Sequence, residues 1–173
     1  GDTEDALAAE WVPIRPGTDA AMILAMIQHI VALGREDRAF LATHCVGWDK
    51  LAPTLAGKTP EWAEGITGVP AATIRRLAHE MGITARDHKI ELPIAWTDCW
   101  GKEHDTVTGA PVALHAIRGL AAHSNGFHTI RALSILMTML GTIDRPGGFR
   151  HRAPFPRPIP PCAKPPKGPE AVP

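Results

Sequence analysis

A glycine, a hydroxyl and a carboxylate follow one another at Gly17, Thr18 and Asp19, directly before a strongly apolar stretch. Pro16 fixes one backbone dihedral and Gly17 tolerates a positive φ, so these residues predict a tight turn. Thr18 is then expected to cap a helix, and Asp19 places a carboxylate in its first turn. Free N–H groups at a helix start favour anions, but Asp19 would repel a phosphate.

The Asp19 carboxylate suits the edge of a guanine better than it suits a phosphate. The ring N–H and the amino group of guanine are two adjacent donors, which match the two carboxylate oxygens. Each charge-assisted hydrogen bond of this kind contributes about 1.5–3 kcal/mol. The turn is therefore a candidate guanine-nucleotide site, and the motif alone leaves an ordinary capped helix as the alternative.

A second loop, at 118–126, combines small and polar residues before another apolar helical pattern. Gly119 and Ala122 let a ligand approach the backbone, and Ser124 and Asn125 are candidate helix caps. An ordinary capped helix is again the alternative. The side chains that can supply a charge or hydrogen bonds are Arg118, His123 and Asn125.

Other reactive residues form no recognisable centre. The nine histidines include His115, His123 and His128, which lack a repeated ligand spacing and a carboxylate, so we expect no metal site. Three separated cysteines without a Cys-x-x-Cys pair argue against an iron–sulfur, zinc or disulfide framework built from this chain alone. The sequence contains no nucleophile elbow, Gly-x-Gly-x-x-Gly or Walker loop.

Composition narrows the class of protein. The 173 residues can bury one ordinary core, and a formal net charge of zero gives no support for nucleic acid as a partner. The sequence contains no run of 18 apolar residues, so it predicts no membrane-spanning helix. The chain starts at Gly1 without a signal peptide, so we expect an internal piece of something larger. Ten of the 17 prolines lie between Pro146 and Pro173, which predicts an extended linker or strap.

Apolar periodicity predicts buried helices at 19–33 and 127–140 and an amphipathic helix at 71–81. Glycines are expected to end them, at Gly34, Gly141 and Gly82. The shorter predicted elements are one or two helical turns at 37–43, a loop at 46–49, a short helix from Thr59, an edge strand at 90–96, a loop at 97–110 and a turn at 144–148.

Four stretches together resemble the molybdopterin oxidoreductases of the dimethyl-sulfoxide-reductase superfamily. They are WVPIRPGTDAA at 11–21, TPEWAEGITGV at 59–69, IRRLAH at 74–79 and AHSNGFHTIRALSILMTMLGTIDRPGG at 122–148. The similarity extends over most of the chain, in the order of the family. Residues 94–101 and 122–129 and the proline-rich tail are most similar to membrane-bound, cytoplasm-facing sulfite dehydrogenases. Thiosulfate, polysulfide and tetrathionate reductases are close relatives.

The resemblance implies an α/β fold, here a helix-rich fragment of a dinucleotide-binding-like domain. Residues 1–150 would form a partial cofactor-binding domain, and 151–173 a proline-rich tail or inter-domain strap. The intact enzyme would hold molybdenum between two molybdopterin guanine dinucleotides. Gly17, Thr18 and Asp19 would contact a guanosine end. The residues expected to line a pterin are Arg118, Gly119, Ala122 and Asn125. His123 would be the catalytic candidate, near the substrate funnel.

The family's cysteine cluster for a [4Fe-4S] centre and the segment with the molybdenum ligand are absent, so we expect the chain alone to be inactive. The implied partners are a small sulfur oxyanion, the rest of its own catalytic subunit, the iron–sulfur electron-transfer subunit, and the membrane-anchor subunit. The implied location is the cytoplasmic side of a membrane, with the periplasm as an alternative. Two other functions stay open: a non-catalytic helical interaction module with a proline-rich partner-binding tail, and an inactive, cofactor-free scaffold.

Overall fold

The computed structural model describes residues 10–98 and 100–149. This part of the chain is rich in helices and has only short strands. The helices are α1 (Asp19–Ala32), α2 (Arg38–His44), α3 (Trp48–Thr54), α4 (Pro60–Thr67), α5 (Ala71–Asp87) and α6 (Gly126–Leu140), with a 3₁₀ turn at Arg118–Ala121. The strands are β1 (Ile90–Leu92), β2 (Trp96–Thr97), β3 (Glu103–His104) and β4 (Val107–Gly109).

Helix α1 lies at the centre of the helical layer and packs against α4, α5 and α6. Its buried residues spread over more than one stripe, so it needs neighbours on several sides. Ile27 and Ile30 of α1 are fully buried, as are Ile74 of α5 and Leu136 and Leu140 of α6. These aliphatic side chains form one contiguous core.

A polar cluster around Asp37 joins the C-terminal ends of two helices to the start of α2. The Asp37 N–H donates to the Met139 carbonyl of α6 over 2.7 Å. One Asp37 carboxylate oxygen pairs with Arg86 Nη1 of α5 at 2.8 Å, and the other accepts from the Phe40 N–H at 3.1 Å. Arg86 Nη2 donates to the Leu140 carbonyl. We call Asp37, Arg86 and the Leu140 carbonyl the helix-end clamp.

The helix-end clamp and a neighbouring ion pair hold the C-terminal ends of three helices together. Arg35, whose N–H donates to the Ile30 carbonyl at the end of α1, also pairs with Asp87 at the end of α5 at 2.8 Å. The last turns of α1, α5 and α6 therefore meet at one end, and the three helices run towards it from the other. The starts of α1 and α6 are consequently the ends of these helices that lie away from the helix-end clamp.

The two buried helices and the glycine at the end of each are confirmed, but the end predicted for α5 is wrong. This helix continues through Gly82 to Asp87. A Cβ at Gly82 would lie 3.0 Å from Arg35 Cβ, so the glycine provides room for close packing instead of ending the helix.

Two further local predictions are wrong. The loop predicted at 46–49 contains the start of α3, which follows Gly47 in a left-handed conformation with φ of 85°. The single strand predicted at 90–96 is interrupted after Leu92, and the loop predicted at 97–110 contains β3 and β4. Strand β1 pairs antiparallel with β4, and β2 with β3, as two separate ribbons. Pro93, which cannot donate to a ladder, lies at the interruption.

The helix-rich character is confirmed, whereas the dinucleotide-binding-like architecture stays a prediction because both sheets in the described residues are two-stranded. The proposed boundary near residue 150 and the proline-rich tail lie outside the described residues. Among the helices of residues 10–98 and 100–149, none has the length and apolar character needed to cross a bilayer.

The first prediction concerns the helix-end clamp. Burial acts to raise the pKa of Asp37, but hydrogen bonds from Arg86 and the Phe40 N–H outweigh it, so the pKa lies below its ordinary value. The carboxylate therefore stabilises the fold above pH about 4, and this stabilisation is lost as the pH falls through the lowered pKa. We expect Asp37→Asn to lower the free energy of unfolding by about 2 kcal/mol at pH 7, with the deficit shrinking below pH about 4.

Urea unfolding of the 173-residue chain from pH 3 to 8 measures this difference. The matched control is Asp87→Asn, which breaks a more exposed pair with Arg35 and is expected to cost less than about 1 kcal/mol. Equal losses for the two variants, or a deficit that persists unchanged at the acid end of the series, would contradict the assigned role of Asp37.

Candidate functional site

The first predicted turn is open to a ligand. Gly17 has a φ of 78°, as the sequence predicts, and a Cβ built there would meet no atom within 4 Å. Asp19 is half-buried in the first turn of α1, and its carboxylate has no hydrogen bond or ion pair in the described part of the chain. The N–H groups of Gly17, Asp19 and Ala20 likewise have no partner there. A carboxylate and three backbone donors are thus available side by side.

Thr18 occupies the N-cap position, but the prediction that its side chain caps the helix is wrong. Its hydroxyl donates to the Arg15 carbonyl at 2.6 Å instead, and the Thr18 N–H donates to the same oxygen at 3.2 Å. The hydroxyl therefore closes the Pro-Gly turn. Because it does not satisfy the first N–H groups of α1, these groups stay free for another acceptor.

Arg15 holds this turn against the end of α4, a role that the sequence did not indicate. Its guanidinium donates to the carbonyls of Gly65 and Ile66, both at 3.1 Å, and its N–H donates to the Thr67 carbonyl at 3.0 Å. A cation at a helix C-terminus satisfies carbonyls that have no partner within the helix. The available sequence signal was only an arginine beside a Pro-Gly turn, without its distant partner.

The second predicted loop is also exposed, and its backbone is tightly constrained. Arg118, Gly119, Ala122 and Asn125 are all exposed. Gly126, the first residue of α6, is buried against this loop, and a Cβ there would overlap the Ala121 carbonyl. The absence of a side chain at Gly126 therefore lets the 3₁₀ turn approach the start of α6.

One ring nitrogen of His123 has a hydrogen-bond partner in the described residues, and the other has none. Its Nδ1 accepts from the Asn125 N–H at 3.2 Å, so the neutral ring carries its proton on Nε2. The Nε2 atom is buried without a partner in the described residues. Asn125 is the N-cap of α6, but neither its side chain nor that of Ser124 caps the helix, so the capping prediction is wrong. The Asn125 amide is consequently accessible from solvent, whereas the His123 Nε2–H is buried without an acceptor in the described residues.

The two candidate groups lie at the starts of two helices that pack against each other. Gly17, Thr18 and Asp19 open α1, and the loop with His123 and Asn125 opens α6. Since the helix-end clamp lies at the last turns of these helices, both starts lie away from it.

A histidine–carboxylate pair that the sequence did not indicate lies on the β2–β3 ribbon. Asp98 Oδ2 lies 3.0 Å from His104 Nε2, while Asp98 Oδ1 accepts from the N–H groups of Trp100 and Lys102 at 2.9 Å. The hydrogen bond to His104 is the largest cause that lowers the pKa of Asp98. Trp96 stacks on the His104 ring with 4.6 Å between centroids. Since these contacts occupy the carboxylate, the pair stabilises the ribbon.

Titratable side chains offer no metal centre in the described ranges. Within residues 10–98 and 100–149, no three histidine, cysteine, aspartate or glutamate side chains are grouped closely enough to hold a metal ion. Cys45 is a partly exposed free thiol there. The groups able to bind a ligand at the helix starts are therefore hydrogen-bonding ones.

Comparison with known proteins gives relatives along most of the chain, although no family model matches. The chain is 49% identical to a sulfite dehydrogenase subunit of Allochromatium vinosum over 237 aligned residues, covering 96% of this chain and 24% of that protein. It is 33% identical to dimethyl sulfoxide reductase DmsA of Escherichia coli, over 85% of this chain and 17% of that one. The chain therefore spans about a quarter or less of the length of these relatives.

The fold has a counterpart among solved structures. The chain aligns with acetylene hydratase from Pelobacter acetylenicus with a TM-score of 0.61 and 25% sequence identity, covering 81% of this chain and 16% of that one. Sequence and fold thus lead to the same group of proteins and confirm the resemblance that the four motifs indicated. The chain belongs to the molybdopterin oxidoreductases of the dimethyl-sulfoxide-reductase superfamily, of which it represents one segment.

Proposed function

We propose that the complete protein to which this segment belongs is a molybdenum-dependent oxidoreductase acting on a small sulfur oxyanion, with sulfite oxidation as its reaction. The support is the 49% identity to a protein named for sulfite dehydrogenase, against 33% for a dimethyl sulfoxide reductase. Thiosulfate, polysulfide and tetrathionate reduction are the alternatives within the same chemistry.

The segment's contribution is to hold a guanine dinucleotide end of the cofactor. The observation that carries this assignment is the unpaired Asp19 carboxylate beside the free N–H groups of Gly17 and Ala20 in the described ranges. Two carboxylate oxygens match the two donors on the guanine edge, and backbone N–H groups suit acceptor atoms of the nucleotide. Gly17 leaves the approach open, and Thr18 keeps the turn closed through its bond to Arg15.

The loop before α6 would line a pterin and the substrate funnel. Arg118 supplies a positive charge, while Gly119 and Ala122 leave the backbone accessible. Asn125 and the His123 Nε2–H can donate hydrogen bonds, and the orphaned state of this buried nitrogen fits a ligand acceptor there. These residues would bind and orient, and His123 would hold a proton near the substrate.

When bound, the molybdenum bis(molybdopterin guanine dinucleotide) would supply two-electron oxygen-atom or sulfur transfer. A [4Fe-4S] centre and the molybdenum ligand would come from parts of the subunit outside this segment. An iron–sulfur subunit would accept electrons, and a membrane-anchor subunit would hold the complex on the cytoplasmic or the periplasmic side of a membrane. The zero formal charge supports no nucleic-acid partner.

The second prediction tests the guanine contact in the complete enzyme. Asp19→Ala removes two charge-assisted acceptors, each worth about 1.5–3 kcal/mol, so we expect the nucleotide end to be held at least about tenfold more weakly. The readout is molybdenum and GMP released per purified subunit. Asp49→Ala, which removes an exposed carboxylate from the first turn of α3, is the matched control and should retain full cofactor. Full molybdenum and GMP in the Asp19 variant would refute the contact.

The third prediction separates turnover from cofactor binding. His123→Ala removes the orphaned Nε2–H but leaves Asp19 and its turn unchanged. We expect sulfite-dependent turnover to fall at least about tenfold while molybdenum content stays within about a fifth of the wild type. His123→Gln, which restores a donor of similar reach, should recover part of the rate. A parallel loss of cofactor and rate would instead assign His123 to the fold of the loop.

A further inference from the structure

A small cavity lies where the helix-end clamp meets the β1–β4 ribbon, and positively charged side chains line it. Its volume is about 30 Å³. Arg86 belongs to the last turn of α5, Lys89 follows that helix, and Arg145 lies in the turn after α6. Three cationic side chains from two distant parts of the chain therefore meet at one cavity.

Gly109 of β4 lets the turn that carries Arg145 approach the cavity. The Ala110 N–H donates to the Pro146 carbonyl of this turn at 3.1 Å. A Cβ at Gly109 would lie 2.8 Å from the same carbonyl oxygen, which is closer than side chains approach. Arg145 Nη1 also donates to the Thr108 carbonyl at 3.4 Å. The position of Arg145 at the cavity is thus set by the packing of the turn on β4.

The positive charges at the cavity exceed the negative charge beside them. Asp37 also lines the cavity, but its two oxygens are already occupied by Arg86 Nη1 and by the Phe40 N–H. Lys89 has no hydrogen bond or ion pair in the described part of the chain. Asp37 balances the charge of Arg86, so Lys89 and Arg145 leave an excess of positive charge that favours an anion.

Arg86 offers a donor that the fold leaves without an acceptor. Its Nη1 pairs with Asp37 and its Nη2 donates to the Leu140 carbonyl. Its Nε is buried and has no partner within residues 10–98 and 100–149. A buried N–H of a charged group is unfavourable without an acceptor. Because Arg86 lines the cavity, an acceptor atom in the cavity could supply that partner.

The volume of the cavity limits the kind of acceptor. A water molecule takes about 30 Å³ in the liquid, so a cavity of this volume holds one oxygen-sized atom. A water would satisfy an N–H but would leave the positive charges unbalanced. An oxyanion can place one oxygen inside and keep the others at the mouth, since Lys89 and Arg145 are exposed. Separate oxygens can then accept from separate cations.

We propose that this cavity binds a small tetrahedral oxyanion, of which sulfate and phosphate are the two sources. One oxygen accepts from the Arg86 Nε–H, and the others accept from the Lys89 ammonium and the Arg145 guanidinium. The bound anion joins the end of α5 to the turn after α6 and so supports the helix-end clamp. This site does not depend on the cofactor assignment, because none of its residues belongs to the two helix starts.

Nuclear magnetic resonance of the ¹⁵N-labelled 173-residue chain tests the site. The readouts are the amide signals of Gly109 and Gly141, which line the cavity, and the Arg86 Nε–H signal. Sodium sulfate and sodium phosphate, titrated separately, should shift these signals to saturation, whereas sodium chloride at the same ionic strength should not. In the double variant Lys89→Gln/Arg145→Gln, the half-saturating sulfate concentration should rise at least about tenfold.

The matched control is Lys50→Gln/Lys102→Gln, which removes two positive charges from exposed positions outside the cavity. It should leave the half-saturating concentration unchanged. Saturation by one oxyanion alone would identify the ligand, and saturation by both would make the site a general one; either result supports the proposal. Shifts that stay linear, equal saturation by chloride, or the same half-saturating concentration in both double variants would each overturn it.

Discussion

The arrangement of this chain depends on one partly buried charge pair, Asp37 and Arg86, and the carbonyl beside it. Asp37 uses both carboxylate oxygens and its N–H, and Arg86 bridges Asp37 to the last carbonyl of α6. Gly141 adjoins the cluster, and a Cβ there would lie 2.5 Å from Asp37 Oδ2. A helix ended by any other residue would therefore crowd the pair, so the glycine that ends α6 also makes room for the helix-end clamp.

The contacts at the helix ends also set the relative direction of α1, α5 and α6. The core of α1, α5 and α6 is aliphatic, and apolar contacts alone would tolerate several relative directions of the helices. Polar contacts at the helix ends select one direction, since each donor must meet its own acceptor. Away from the joined ends, α1 and α6 each begin after a turn in which Asp19 or His123 keeps polar atoms without partners in the described residues.

Local chemistry made part of this structure predictable. The Pro-Gly pair and the apolar run after it predict the turn at Gly17 and the start of α1, because both depend on neighbouring residues. Gly82 shows the limit: the same residue type that ends α6 lies inside α5, where Arg35 packs against it. Strands β3 and β4 were missed because they are two or three residues long and depend on their partner strands.

In the candidate site, too, the features that depend on neighbouring residues were predictable and those that depend on distant residues were not. The positions of Thr18 and Asn125 at helix starts were predictable, but the use of their side chains was not. Arg15 draws the first turn onto α4, and the Thr18 hydroxyl bonds to the Arg15 carbonyl instead of capping. The resemblance supplied the functional meaning of the site, since a turn with a free carboxylate specifies no cofactor without it.

The most direct test of this account is whether the two turns share one end of the molecule in solution. Spin labels at the exposed positions Pro16, Leu33 and Ser124, in pairs and with the native cysteines replaced by serine, allow the distances to be measured by double electron–electron resonance. The account predicts a shorter distance from Ser124 to Pro16 than from Ser124 to Leu33. A Ser124 label nearer to Leu33 would place the two turns at opposite ends and contradict a shared cofactor site.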